Sequence, residues 1–152
     1  MPSEDVHGAP LTILLVEDNL AHAELVKRSL GTHEIANTIY HVADGAAALA
    51  YLFRQGVYAD PAASPRPHVV LLDLRLPKVS GLDVLREIKT SNDLRTIPVV
   101  ILTTSTAERD VVSAYAQHAN SYLVKPVVFA AFTRLMHDLG LYWLLWNYHP
   151  PS

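Results

Sequence analysis

Short, unbroken aliphatic runs, each stopped by a polar or charged residue, constrain this chain more than any other feature. Leu11 to Val16 stops at Glu17-Asp18-Asn19, and His68 to Leu72 stops at Asp73. Pro98 to Leu102 stops at Thr103, and Tyr122-Leu123-Val124 stops at Lys125-Pro126. Ile39 to Val42 is a weaker fifth run. Runs with so little alternation suit strands buried on both faces, as in a parallel sheet. Between them lie stripes at helical spacing: Ala21, Leu25, Val26 and Leu30; Ala48, Leu49, Leu52 and Phe53; Leu82, Val84, Leu85 and Ile88. Val111, Val112, Tyr115 and Ala119 follow, and then Phe132, Leu135, Met136 and Leu139. Ser105 with Glu108 three residues later is a capping-box signature for the fourth of these helices. Strand and helix alternate five times, which predicts an α/β domain with a doubly wound, five-stranded parallel sheet and five helices.

The 152 residues suit one domain. Residues 11–140 carry the alternating pattern, 1–10 are expected to be a disordered leader, and 141–152 a short aromatic extension. Gln55 to Pro67 holds Gly56, Pro61, Pro65 and Pro67 and is expected to be an exposed loop. A formal charge of -3 gives no basic surface for nucleic acid. No apolar stretch approaches the roughly 18 residues of a membrane span. The absence of cysteine excludes disulfides and thiolate metal sites. A cytoplasmic, single-domain protein is the expectation.

The residues that end the runs share one topological place. Glu17, Asp18, Asp73, Thr103 and Lys125 all fall at the carboxyl ends of predicted strands, the edge where open α/β sheets bind ligands. One aspartate there is ordinarily a turn or cap residue; the recurrence across four runs carries the weight. Two carboxylates about 4 Å apart repel by about 4 kcal/mol at an effective dielectric of 20. A hard cation such as Mg²⁺ relieves that repulsion and brings oxygen-rich coordination. With a lysine, a threonine hydroxyl and an aspartate that can act as covalent acceptor, the set suits phosphoryl transfer.

These residues resemble the bacterial receiver domain of two-component signalling. The motifs stand as Ile13-Leu14-Leu15-Val16-Glu17-Asp18-Asn19, Ala43-Asp44-Gly45 with Ala48-Leu49, and Val70-Leu71-Leu72-Asp73-Leu74-Arg75-Leu76-Pro77 with Ser80-Gly81-Leu82. Pro98 to Thr103 and Tyr122-Leu123-Val124-Lys125-Pro126 complete the set, in order, over residues 11–140. The resemblance implies a flavodoxin-like receiver fold. It implies Asp73 as phosphoacceptor, and Glu17, Asp18, Asp73 and the Arg75 carbonyl as Mg²⁺ contacts. It implies Thr103 and Tyr122 as switch residues, Lys125 as the basic residue at the phosphoryl group, and a cis peptide before Pro126. Such a protein is no enzyme beyond its own phosphorylation and slow autodephosphorylation. The acidic pair is Glu-Asp where the family more often has Asp-Asp. The long interval from Asp18 to Asp73, no output domain after the last helix and a Trp-rich tail are similar to the response regulators of bacterial and cyanobacterial phytochromes. A phytochrome-type sensor histidine kinase is therefore the expected partner. Family analogy also predicts a homodimer through the fourth helix, fifth strand and fifth helix, joined by the extension with Trp143 and Trp146.

Other residues bear on rival readings. Arg75 and Ser105, two positions after Asp73 and Thr103, flank the phosphoryl site in the family and are candidates for tuning phosphoryl lifetime. An aspartate-nucleophile phosphohydrolase would place a second Asp where Arg75 stands. A receiver-like module that takes no phosphate has no use for the intact acidic set. A flavin site lacks its Ser/Thr-rich phosphate loop. His33, His41, His118, His137 and His149 show no metal-ligand spacing.

Overall fold

The structure, a computed structural model, describes residues 11–31, 37–103, 116 and 118–140. Five strands form one sheet: β1 Leu11–Val16, β2 Asn37–Val42, β3 Val69–Asp73, β4 Val99–Thr103 and β5 Ser121–Val124. Every neighbouring pair is parallel, in the order β2-β1-β3-β4-β5. Four α-helices lie among the described residues: α1 Leu20–Gly31, α2 Gly45–Leu52, α3 Gly81–Lys89 and α4 Phe129–Asp138. The helix expected over the Val111–Ala119 stripe, its Ser105–Glu108 capping box, the leader and the aromatic extension lie outside the described residues, apart from Ala116, His118 and Ala119. α4 is the helix that the sequence counts fifth.

The sheet separates two apolar layers. Odd positions of β1 (Leu11, Ile13, Leu15) pack with Ala23, Val26 and Leu30 of α1 and Phe132, Leu135 and Met136 of α4. Even positions (Leu14, Val16) pack with Ala48, Tyr51 and Leu52 of α2 and Val84, Leu85 and Ile88 of α3. Both faces of β1 and β3 are thus buried, which is why those runs show no polar alternation. Two helical stripes differ from expectation. In α1 the buried set is Ala23, Val26 and Leu30, while Leu25 is 48% exposed. In α2 Tyr51 takes the inward place expected for Phe53, which caps the helix and is half exposed.

Strand ends also shift by one residue. Asp73 pairs with Leu102 and Thr103 with Val124, so both polar residues are the last of their strands. At the other edge, Pro98 has no N–H to give, and its carbonyl accepts Val70 N–H at 2.9 Å. His68 precedes β3 yet still closes the ladder: its N–H donates to Thr12 O and its Nδ1 accepts Thr12 N–H at 2.9 Å.

The 55–67 loop is not simply exposed. It winds into two short 3-10 turns, Gly56–Tyr58 and Pro61–Ala63. Ser64 is fully buried, its hydroxyl donating to Tyr58 O at 2.9 Å. Tyr51 Oη donates to Pro65 O at 2.6 Å, and Arg66 reaches back to the Leu52 carbonyl at the end of α2.

Candidate functional site

The sheet order places the site. From β1 the chain moves outward to β2, then returns to β3 on the other side of β1, and this reversal opens a crevice at the carboxyl ends of β1 and β3. Glu17 and Asp18 follow β1, Asp73 ends β3, Thr103 ends β4 and Lys125 follows β5. Together with Arg75 they line one pocket of about 190 Å³. Tyr122 is not in its wall; it is half-buried in β5 against the layer of α2 and α3.

Local chemistry shapes each part. Asn19 caps α1, its Oδ1 accepting His22 N–H at 3.0 Å. Its own N–H donates to Glu17 Oε2 at 3.2 Å, which ties the acidic turn to the helix start. Glu17 N–H continues the sheet by donating to Val42 O at 3.1 Å, and His41 Nε2 lies 2.7 Å from Glu17 O. His41 is thus a support for this turn, which its isolated place in the sequence did not signal. On β3, Gly81 N–H donates to Leu74 O, and a Cβ on Gly81 would stand 2.5 Å from the Asp73 carbonyl oxygen. Only glycine lets α3 begin so close to Asp73. The Lys125–Pro126 peptide is cis, and Lys125 N–H donates to Thr103 O at 2.7 Å.

Both Asp73 oxygens are engaged. Oδ1 accepts Arg75 N–H at 2.9 Å and Oδ2 accepts from Lys125 Nζ at 2.9 Å. Lys125 also ion-pairs with Glu17 Oε1, a buried atom that receives no hydrogen bond of good geometry. Burial works against the charge on Lys125, but the bonded carboxylates of Glu17 and Asp73 outweigh it and its pKa is raised. Glu17 is fully buried, and its pKa is pushed up to about 7, chiefly by burial, with Lys125 opposing and Asp73 reinforcing.

Carboxylate oxygens of Glu17, Asp18 and Asp73 lie within 4.8 Å of one another. Among the described residues three acidic groups face a single ammonium, and Glu17, the most deeply buried of them, resists ionisation chiefly because burial removes its water. An all-oxygen set short of positive charge, with exposed Asp18 open to solvent, fits a hard divalent cation that keeps some of its waters.

His22 was missed by the sequence reading. It lines the same pocket, with Nδ1 3.1 Å from Lys125 Nζ and 3.9 Å from Glu17 Oε1. No spacing rule links residues 22 and 125; only the fold brings them together. His118 and His137 are exposed, while His33, His149, Ser105 and the Thr104-Ser105-Thr106 run lie outside the described residues.

The family model for the response regulator receiver domain matches residues 13–137. The probable methanogenesis regulatory protein FilR2 of Methanothrix harundinacea is 48% identical over 142 residues, covering 93% of this chain and 88% of FilR2. Response regulator Rcp1 of Synechocystis is 44% identical over 140 residues, covering 92% of this chain and 93% of Rcp1. The crystal structure of the Mn(2+)-bound form of Rcp1 superposes with a TM-score of 0.72, covering 94% of this chain and all of that one. The structure of the bacteriophytochrome response regulator RtBRR superposes with a TM-score of 0.80 at 45% identity, covering 94% of this chain and 86% of RtBRR. With sequence, sheet order and acidic pocket in agreement over most of its length, the chain belongs to the response regulator receiver family.

Proposed function

We propose that this chain is a phosphoryl-accepting switch, with Asp73 as the acceptor and a sensor histidine kinase, of the phytochrome type, as the donor. One observation carries the reading: Asp73 stands beside the two other carboxylates with one oxygen held by the Arg75 N–H and the other by the Lys125 ammonium. In the transfer, an Asp73 oxygen forms a bond to phosphorus while the bond from phosphorus to the kinase imidazole nitrogen breaks. The electron pair leaves with the imidazole. Lys125 stays with the developing charge on the phosphoryl oxygens, and the Thr103 hydroxyl at the pocket wall offers a donor to them. Mg²⁺ held by Glu17, Asp18, Asp73 and the Arg75 carbonyl supplies, when bound, the positive charge that carboxylates and phosphate together lack. The acyl phosphate adds about two negative charges. Thr103 and Tyr122 are the residues assigned to respond, Thr103 by moving inward and Tyr122 by repacking at its half-buried place in β5.

The kinase reading is supported by the likeness to RtBRR, a bacteriophytochrome response regulator. A hollow of about 270 Å³ lined by His22, Lys125 and the apolar Leu25, Val26, Pro126 and Val127 adjoins the pocket, with exposed Leu20 and Val128 on the neighbouring surface. A homodimer is proposed through the fourth helix of the sequence pattern, which lies outside the described residues, with β5, which closes one edge of the described sheet, α4 and the extension beyond Gly140.

Incubation with a small phosphodonor and Mg²⁺, followed by mass spectrometry, tests the function. One phosphoryl group on Asp73 is expected, and none on Asp73→Asn. An unlabelled wild-type protein would overturn the proposal, and rapid release of phosphate would favour a phosphohydrolase.

A further inference from the structure

Lys125 has three N–H donors on a flexible four-carbon stem. Three partners surround it: Glu17 Oε1 as an ion pair, and Asp73 Oδ2 at 2.9 Å and His22 Nδ1 at 3.1 Å as acceptors. Two of these are acidic groups of the proposed phosphoryl site. The third comes from the first turn of α1 and has no place in the chemistry described so far. An ammonium can only donate, so the contact uses the Nδ1 lone pair. His22 is itself anchored through Asn19, whose side chain takes the His22 N–H and whose N–H holds Glu17.

We propose that His22 is a positioning residue for Lys125, its Nδ1 holding the ammonium at a fixed point between Glu17 and Asp73. The proposal deepens the phosphoacceptor reading and rests on it for its effect on rate. On phosphorylation a phosphoryl oxygen takes the place of Asp73 Oδ2 as a partner of Lys125. The bond to His22 need not change. Lys125 therefore meets the incoming group from a pre-set direction and loses little freedom on doing so. The Lys125 side chain is 9% exposed and that of His22 36%, so the contact lies at the mouth of the pocket, partly screened by solvent.

Two substitutions separate positioning from bulk. His22→Leu keeps an apolar side chain and removes the acceptor. His22→Asn puts an amide oxygen near the place of Nδ1. The first readout is the ¹⁵N signal of the Lys125 ammonium in the unphosphorylated protein, which is visible when hydrogen-bonded protons exchange slowly. The second is the rate of Asp73 labelling by a small phosphodonor with Mg²⁺, resolved into maximal rate and donor half-saturation. His22→Leu should lose the ammonium signal. Its maximal rate should fall about tenfold, the scale of one hydrogen bond to a charged group discounted for exposure. Half-saturation should stay unchanged, and His22→Asn should recover both readouts. A His22→Leu protein that keeps the ammonium signal, or that loses it with an unaltered rate, overturns the proposal. If His22→Leu does not fold, His22→Ala is judged by the same two readouts. If the wild-type protein takes no label at all, the phosphoacceptor reading fails. The ammonium signal then still decides whether His22 holds Lys125.

Discussion

Glu17 bears the cost of burying a carboxylate in the pocket. It is fully buried, and its pKa is pushed up from 4.5 to about 7. Between those values the folded chain holds a proton that the unfolded chain has released, so this group's contribution to stability falls as pH rises from about 4.5 to about 7. His68 acts the other way. Burial lowers its pKa, and neutral Nδ1 is what accepts Thr12 N–H, so its contribution is lost as pH falls below its ordinary 6.5. The difference between wild type and Glu17→Gln isolates the first effect. In chelator, thermal melts should show wild type losing stability relative to Glu17→Gln between pH 5 and pH 8. A divalent cation must compete with that proton, so Mg²⁺ should raise the wild-type midpoint more at pH 8 than at pH 5. An equal rise at both values would show that Glu17 does not take part in holding the ion.

Among the elements, the start of α3 is where packing and chemistry are least separable. Ser80 caps it, accepting Asp83 N–H at 3.2 Å, and Gly81 lies against the backbone of Asp73 and Leu74. A methyl at Gly81 would stand 2.5 Å from both the Asp73 carbonyl oxygen and Leu74 Cα. These are backbone atoms that cannot rotate away. Gly81→Ala is expected to cost about 1–3 kcal/mol in urea unfolding, the usual scale of overpacking, and to slow labelling of Asp73 by displacing it. Normal stability with normal labelling would show that the α3 start gives way freely. The elements were largely legible because buried parallel strands leave unbroken Val/Ile/Leu runs. Their exact ends were less so. Asp73 and Thr103 read as the polar stops after their runs, yet backbone pairing continues through them. In α1 the stripe takes in Ala21 and Leu25, which face solvent, while Ala23 joins Val26 and Leu30 inside; apolar residues stand on both faces, so spacing alone does not choose between them. In α2, Tyr51 packs inward beside Ala48 and Leu52, and its hydroxyl finds the Pro65 carbonyl, a partner that no local pattern encodes.

For the whole molecule, the site is assembled from four strands whose polar ends lie more than a hundred residues apart, from Glu17 to Lys125. The sequence reveals such a site when each contributor ends its own run, as those did. It hides a contributor such as His22, which sits inside a helical turn and matters only because α1 passes beside the β5–α4 junction. The proposed dimer also belongs to this scale. A chain truncated after Gly140 should sediment as a monomer where the full chain sediments as a dimer; an unchanged mass would remove the extension from the interface.

The loop of residues 55–67 leads from the end of α2 to the start of β3, so the length of β3, about 15 Å, lies between it and the pocket. It is fastened to α2 by Tyr51 and Arg66, and its outermost stretch, Ala59 to Ala63, is exposed. A dye, an affinity handle or a foreign peptide spliced into that stretch would ride on the far end of the molecule, so the chain could be tagged internally with both of its termini and its reactive end left untouched.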